Sequence, residues 1–241
     1  MTENKKENLN NRMIKFLFEA APVRGACVQM AEEWQEMIKF HHYPENVAAL
    51  LGQFTAGALL LSSTIKFEGS LILQVKGSGP IAFIYAEVRN PMSVRAMAEI
   101  REGAEIKPEM DLQELINKVG KGLCALILDP KDRRPGVQPY QGMVSLESNS
   151  VAENLENYMA KSEQLETKLY LAADCKKLGG LVIQKMPSVG GNVSEISDPD
   201  AWGRIMQLAH TVTKEELLNV PATDVLHRLF WQEKLVPVTA V

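Results

Sequence analysis

Four histidines and three cysteines are the side chains of this 241-residue sequence best suited to nucleophilic, acid–base or metal chemistry. A nucleophile needs a neighbouring base, and the base needs a third group to orient it. His41, His42, His210 and His227 supply candidate bases, and none belongs to a local signature of that kind. His41 and His42 are adjacent at the end of an expected helix, so they point in different directions; histidines placed near a helix C-terminus by the dipole are the reading adopted. Cys27, Cys124 and Cys175 are too far apart in sequence for a C-x-x-C pair. An all-cysteine zinc site takes four thiolates, and the chain has three cysteines. Cys124 lies in the apolar run "LCALILD" and reads as a small buried hydrophobe. "GSGP" (Gly77 to Pro80) lacks the spacing of a phosphate-binding loop and has strand-like runs on both sides, which makes it a hairpin turn. Neither catalysis nor a metal bound by this chain is expected.

The elements that hold these residues are those of an ordinary globular chain, with 46% hydrophobic and 23% charged residues. A net charge of −4 argues against nucleic acid as a partner, since phosphate binding concentrates Lys and Arg. The one basic cluster, "KDRRP" (Lys131 to Pro135), reads as a solvated turn. The start, "MTENKKENLNN", is no secretory signal, and an odd cysteine count then favours reduced thiols in the cytoplasm. Asn46 to Ile65 carries no charge and has the length of a membrane span. Val47, Leu50, Leu51, Phe54, Ala58, Leu61 and Ile65 fall on one helical stripe, and Ala48, Ala49, Ala56 and Gly57 on the other face admit a second packed layer. With no aromatic belt and no basic flank, the run is expected to be a buried core helix, with no membrane as partner.

Along the chain, "MIKFLFEA" suggests a short apolar strand or turn, Ala31 to Phe40 a helix, and Pro44 the boundary before the central helix. "LILQVKG" and "IAFIYAEV" form a hairpin and "VRAMAEI" a third strand. "LCALILD" pairs with "YQGMVSL", and "TKLYLAA" with "GGLVIQKMP". Asp111 with Glu114, Ser150 with Glu153, and Thr213 with Glu216 have capping-box spacing. The alternation indicates an α+β class with a buried central helix. Residues 1–187 form this N-terminal domain, residues 188–233 a helical linker entered through "SVGGNVSEISDPD", and residues 234–241 a tail.

"YQGMVSLESNSVAENLENYMAKSEQLETKLYLA" (Tyr140 to Ala172) resembles the heat-shock protein 33 family of redox-regulated holdase chaperones. "VRG" at Val23, "TIKFEGSLILQVKGSGPI" at Thr64, "GGLVIQKMP" at Gly179 and "TKEELLNVPATDVLHRLF" at Thr213 follow in the family's order. The resemblance covers about Leu9 to Trp231 and implies a cytoplasmic, ATP-independent chaperone that holds unfolding proteins under oxidative and heat stress. It also implies an α+β domain, a helical linker and a small zinc domain, in which four cysteines of a C-x-C and a C-x-x-C pair bind zinc until oxidation releases it. After "RLFWQE" this sequence reads "KLVPVTAV", with neither pair, so the zinc domain is expected to be absent and the metal role is not carried onto Cys27, Cys124 or Cys175. The linker's apolar residues, Trp202, Ile205, Met206, Leu217, Leu218, Val225, Leu226, Leu229, Phe230 and Trp231, are the expected client-binding set, since such faces must be covered in cis, by a partner or by a client. The expectation is a holdase acting without a redox switch, as a homodimer exchanging linker helices. The competing expectation is a structural or dimerising module that binds no client.

Overall fold

The computed structural model describes residues 12–65, 67–89, 93–132, 138–186, 198 and 200–238. The first sheet contains β1 (Arg12–Phe18), β2 (Val23–Met30), β8 (Thr167–Ala173), β9 (Leu178–Lys185) and β10 (Leu235–Pro237), in the order β10-β1-β2-β9-β8. The second contains β3 (Gly69–Lys76), β4 (Ile81–Arg89), β5 (Ser93–Ile100), β6 (Leu123–Pro130) and β7 (Tyr140–Val144), in the order β5-β4-β3-β6-β7. Every pairing is antiparallel. The class is α+β, and the three hairpins read from the sequence are β3–β4, β6–β7 and β8–β9.

The uncharged run becomes α2 (Glu45–Thr64), packed between the two sheets. It is the one described helix long and apolar enough to cross a membrane, and 78% of its apolar window is buried. Its hydroxyls do not orphan donors in that interior. Thr55, Ser62, Ser63 and Thr64 donate to the carbonyls of Leu51, Leu59, Leu60 and Leu61. Gly52 lets the next layer touch the backbone, since a Cβ there would lie 2.4 Å from the Ala173 Cβ.

α1 (Glu32–Ile38) is shorter at its end than the sequence suggests, and its Trp34 Nε1 donates to the Asp174 carbonyl at 2.8 Å. Beyond it, the His41 ring stacks on Tyr43 at 5.0 Å. α3 (Leu112–Ile116) carries the expected Asp111–Glu114 capping box. α4 (Val151–Lys161) has only half of one. Ser150 accepts from the Glu153 amide, but the Glu153 carboxylate turns instead to the Ser148 hydroxyl, which itself accepts from the Ser150 amide at 3.0 Å. Three helices complete the fold: α5 (Ala201–Ala209), α6 (Lys214–Asn219) with its Thr213–Glu216 capping box, and α7 (Ala222–Phe230). The expected linker entry, "SVGGNVSEISDPD", lies outside the described residues except for Asp198 and Asp200, and Arg133 to Pro135 of the basic cluster also lie outside. Leu235–Pro237, in the segment read as a tail, pairs with Phe16–Phe18 of β1.

Candidate functional site

Side chains alternate across a strand, so each residue of β2 commits to one of two cores. Ala26, Val28 and Met30 face α2, whereas Val23 and Cys27 join a second apolar cluster on the opposite side of the first sheet. That outer face is built in rows. Ile14, Cys27, Leu181 and Tyr170 lie in register across β1, β2, β9 and β8, with Phe16, Gly25 and Ile183 beside them. A Cβ at Gly25 would lie 2.3 Å from the Phe16 ring, so glycine is what allows the ring to lie flat on the sheet.

Helices α5, α6 and α7 form a cover over this face. Ile205, Leu217, Val225, Leu226, Leu229 and Phe230 are buried in the cluster they share with the strands. Phe230 meets Phe18 edge-on at 5.1 Å and Phe16 at 6.2 Å. Polar contacts fasten the rim. Arg204 Nε donates to Glu233 at 2.6 Å and its Nη1 to Asp198 at 2.9 Å. Arg228 Nη2 donates to Glu216 at 2.9 Å, Lys177 Nζ donates to Asn219 at 2.7 Å, and Lys185 Nζ sits 5.8 Å from the Trp202 ring centroid. Hydrogen bonds from Arg204 hold the Asp198 carboxyl below its usual range. Burial pushes Glu216 up, but hydrogen bonds from Thr213 and the charge of Arg228 outweigh it and hold that carboxyl low.

The residues expected to bind clients are thus brought together, but most of them face inward. Trp202, Met206 and Leu218 are half-buried at the margin of the cluster, and Trp231 alone of the set is exposed, at 67%. The helical period predicts which residues share a face; it does not tell that Phe230 goes in while Trp231 goes out. The strand half of the site, Phe16, Phe18, Cys27, Leu181, Ile183 and Gln29, was not anticipated. Its one sequence signal is that "GACV" (Gly25 to Val28), within "VRGACVQM", is apolar or small on both alternating faces, the mark of a strand covered on both sides.

The cysteines occupy separate environments. Cys27 lies under the cover and Cys124 in the core around α2; burial pushes each thiol up to about 12. Cys175, half-buried between β8 and β9, is raised by burial first and then by the charges of Glu45 and Asp174. Among the described residues no three His, Cys, Asp or Glu side chains are grouped to hold a metal, so these cysteines do not fit the family's zinc.

The family model for "Hsp33 protein" matches residues 11–240. The 33 kDa chaperonin of Methylobacillus flagellatus is 38% identical over 226 residues, covering 93% of this chain and 73% of that protein. The 33 kDa chaperonin of Nitrosococcus oceani is 40% identical over 229 residues, covering 94% and 74%. The crystal structure of the 33 kDa chaperonin of Thermotoga maritima superposes with a TM-score of 0.71 at 20% identity, covering 94% of this chain and 78% of that one, and so shares the fold. The name of these relatives supports a chaperone role rather than an enzymatic one. By the span of the family model and the identity to these relatives, the chain belongs to the heat-shock protein 33 family.

Proposed function

We propose that this protein is an ATP-independent holdase whose client surface is the outer face of the first sheet together with the inner faces of α5, α6 and α7. The observation that carries this reading is the cover itself, short helices laid over a second apolar cluster separate from the α2 core. Opening the cover exposes apolar surface while α2 keeps its own packing. Its clients are unfolding proteins, met in the cytoplasm under heat or oxidative stress. Opening is governed by temperature and solvent rather than by this chain's thiols, because Cys27 and Cys124 are buried with their thiolates disfavoured, and the half-buried Cys175 thiolate is disfavoured by burial and by the charges of Glu45 and Asp174. Two chains exchanging covers form the homodimer; a size measurement giving monomer alone at high micromolar concentration counts against it.

The test is light scattering from a heat-unfolding client after reductant or peroxide treatment of the protein. Equal suppression in both supports a holdase without a thiol switch. Suppression after peroxide alone assigns a regulatory role to a cysteine, and none in either case rejects the holdase. The burial of Ile205, Leu217, Val225, Leu226, Leu229 and Phe230 also suits a second reading, a structural or dimerising module with its apolar surface satisfied. Such a module binds no hydrophobic dye when mildly warmed, whereas the holdase does.

A further inference from the structure

Gln29 is a polar residue in an apolar place. It is 5% exposed on the outer face of β2, in register with Gly179 of β9. The other buried polar residues of this sheet, Thr167 and Gln184, bond to each other at 2.8 Å. The Gln29 carboxamide is satisfied by the cover. Nε2 donates to the carbonyl of Leu217 at 3.0 Å and to that of Val220 at 2.7 Å, and Oε1 accepts from the amide of Ala222 at 2.9 Å. All three partners are main chain, at the corner where α6 ends and α7 begins. They are the kind of groups that helix ends leave without intrahelical partners. Gly179 brings the corner flush with the sheet, since a Cβ there would lie 2.2 Å from the Leu217 carbonyl oxygen.

A buried carboxamide with unmet donors and acceptor is destabilising, so whatever replaces the cover must meet them or forfeit affinity. A lone extended chain spaces its free amides and carbonyls alternately along its length, whereas a broken helix groups free carbonyls at one end against a free amide at the next start, the set that Gln29 meets here. We propose that Gln29 is a main-chain-reading group of the client site, and that it selects clients presenting apolar helix ends over clients that are fully extended. The α6–α7 corner is the ligand held in cis, and a partly unfolded helical protein supplies the same groups in trans. This inference rests on the holdase reading above.

The experiment uses the full chain carrying Phe230→Asp, which places a charge among Phe16 and Phe18 and releases the cover. Two peptides of equal apolar content are titrated against it, an amphipathic Leu/Lys helix former and an extended Val/Thr-rich chain. The helical peptide is expected to bind roughly tenfold tighter, the size expected for hydrogen bonds to a desolvated amide. Adding Gln29→Met, which keeps the side-chain volume and removes the amide, is expected to erase that preference while dye binding and amide exchange in α2 stay unchanged. Gln29→Ala gives the same reading should methionine pack badly. Equal binding of both peptides, or a preference that survives the loss of the amide, overturns the role of Gln29 and leaves the holdase standing. Dye binding without binding of either peptide overturns the holdase reading and this inference with it.

Discussion

Phe230→Ala should open the cover without unfolding the body of the protein. Phe230 is 1% exposed and in edge or tilted contact with Phe18 and Phe16. Truncating a buried phenylalanine costs about 3–5 kcal/mol. Aromatic pair contacts of about 0.5–1.5 kcal/mol each are part of that sum. The loss falls on the outer cluster and not on the core around α2, to which Phe230 does not belong. At about 1.4 kcal/mol per factor of ten, the ratio of closed to open cover falls by roughly two to three and a half orders of magnitude. Hydrogen exchange read by segment is the assay. Amides of α5, α6 and α7 should exchange faster by that factor while those of α2 keep their rate, and binding of a hydrophobic dye should rise in step. If α2 accelerates in parallel and a single melting transition moves down, the cover is not a separable unit and the reasoning is refuted.

Acid should loosen the same cover. The folded Asp198 and Glu216 carboxyls lie below their usual values of 3.8 and 4.5, so the stability they contribute is present above those values and is lost as pH falls through the folded ones. Dye binding should therefore rise as pH falls below about 4.5 and should respond to salt, because both pairs are near the surface; a flat profile from pH 6 to about 3 contradicts the ion-pair rim. Thiol labelling should proceed in three steps, with Cys175 first, Cys27 on opening of the cover, and Cys124 only on global unfolding; simultaneous labelling of Cys27 and Cys124 would contradict the two-cluster architecture. Thr213→Ala removes the α6 cap and should cost the cover about 1 kcal/mol, read as faster exchange in α6 alone.

What was legible in the sequence was local. The uncharged run announced α2, and capping-box spacing located the starts of α3 and α6, because helix entry depends on residues three apart. Ser150 and Glu153 show the limit of that rule. A nearer hydroxyl, Ser148, took the carboxylate that the box required. The hairpins were visible because their strands follow one another in sequence, joined by a single turn or loop. The pairings of β2 with β9, of β3 with β6 and of β1 with β10 were not, since no turn joins those strands and only the packed whole selects them. Gln29 was invisible for the same reason. Its partners lie at Leu217, Val220 and Ala222, and nothing local to "VRGACVQM" implies them.

The short strand β10 changes what kind of object the cover is. Its pairing with Phe16–Phe18, reinforced by the Val238 amide donating to Lys15 and the Glu19 amide donating to Lys234, fastens the far end of the cover to the sheet that the near end leaves from β9. Exchange with a second chain requires loss of the β10 pairing; short of that, the segment lifts like a handle. It stays at an effective concentration of the order of millimolar over its own binding face. If the covered face is the client site proposed above, a client competes with a tethered rival, and one that begins to bury its own apolar surface loses that contest. On the proposed holdase reading, the returning handle itself drives release.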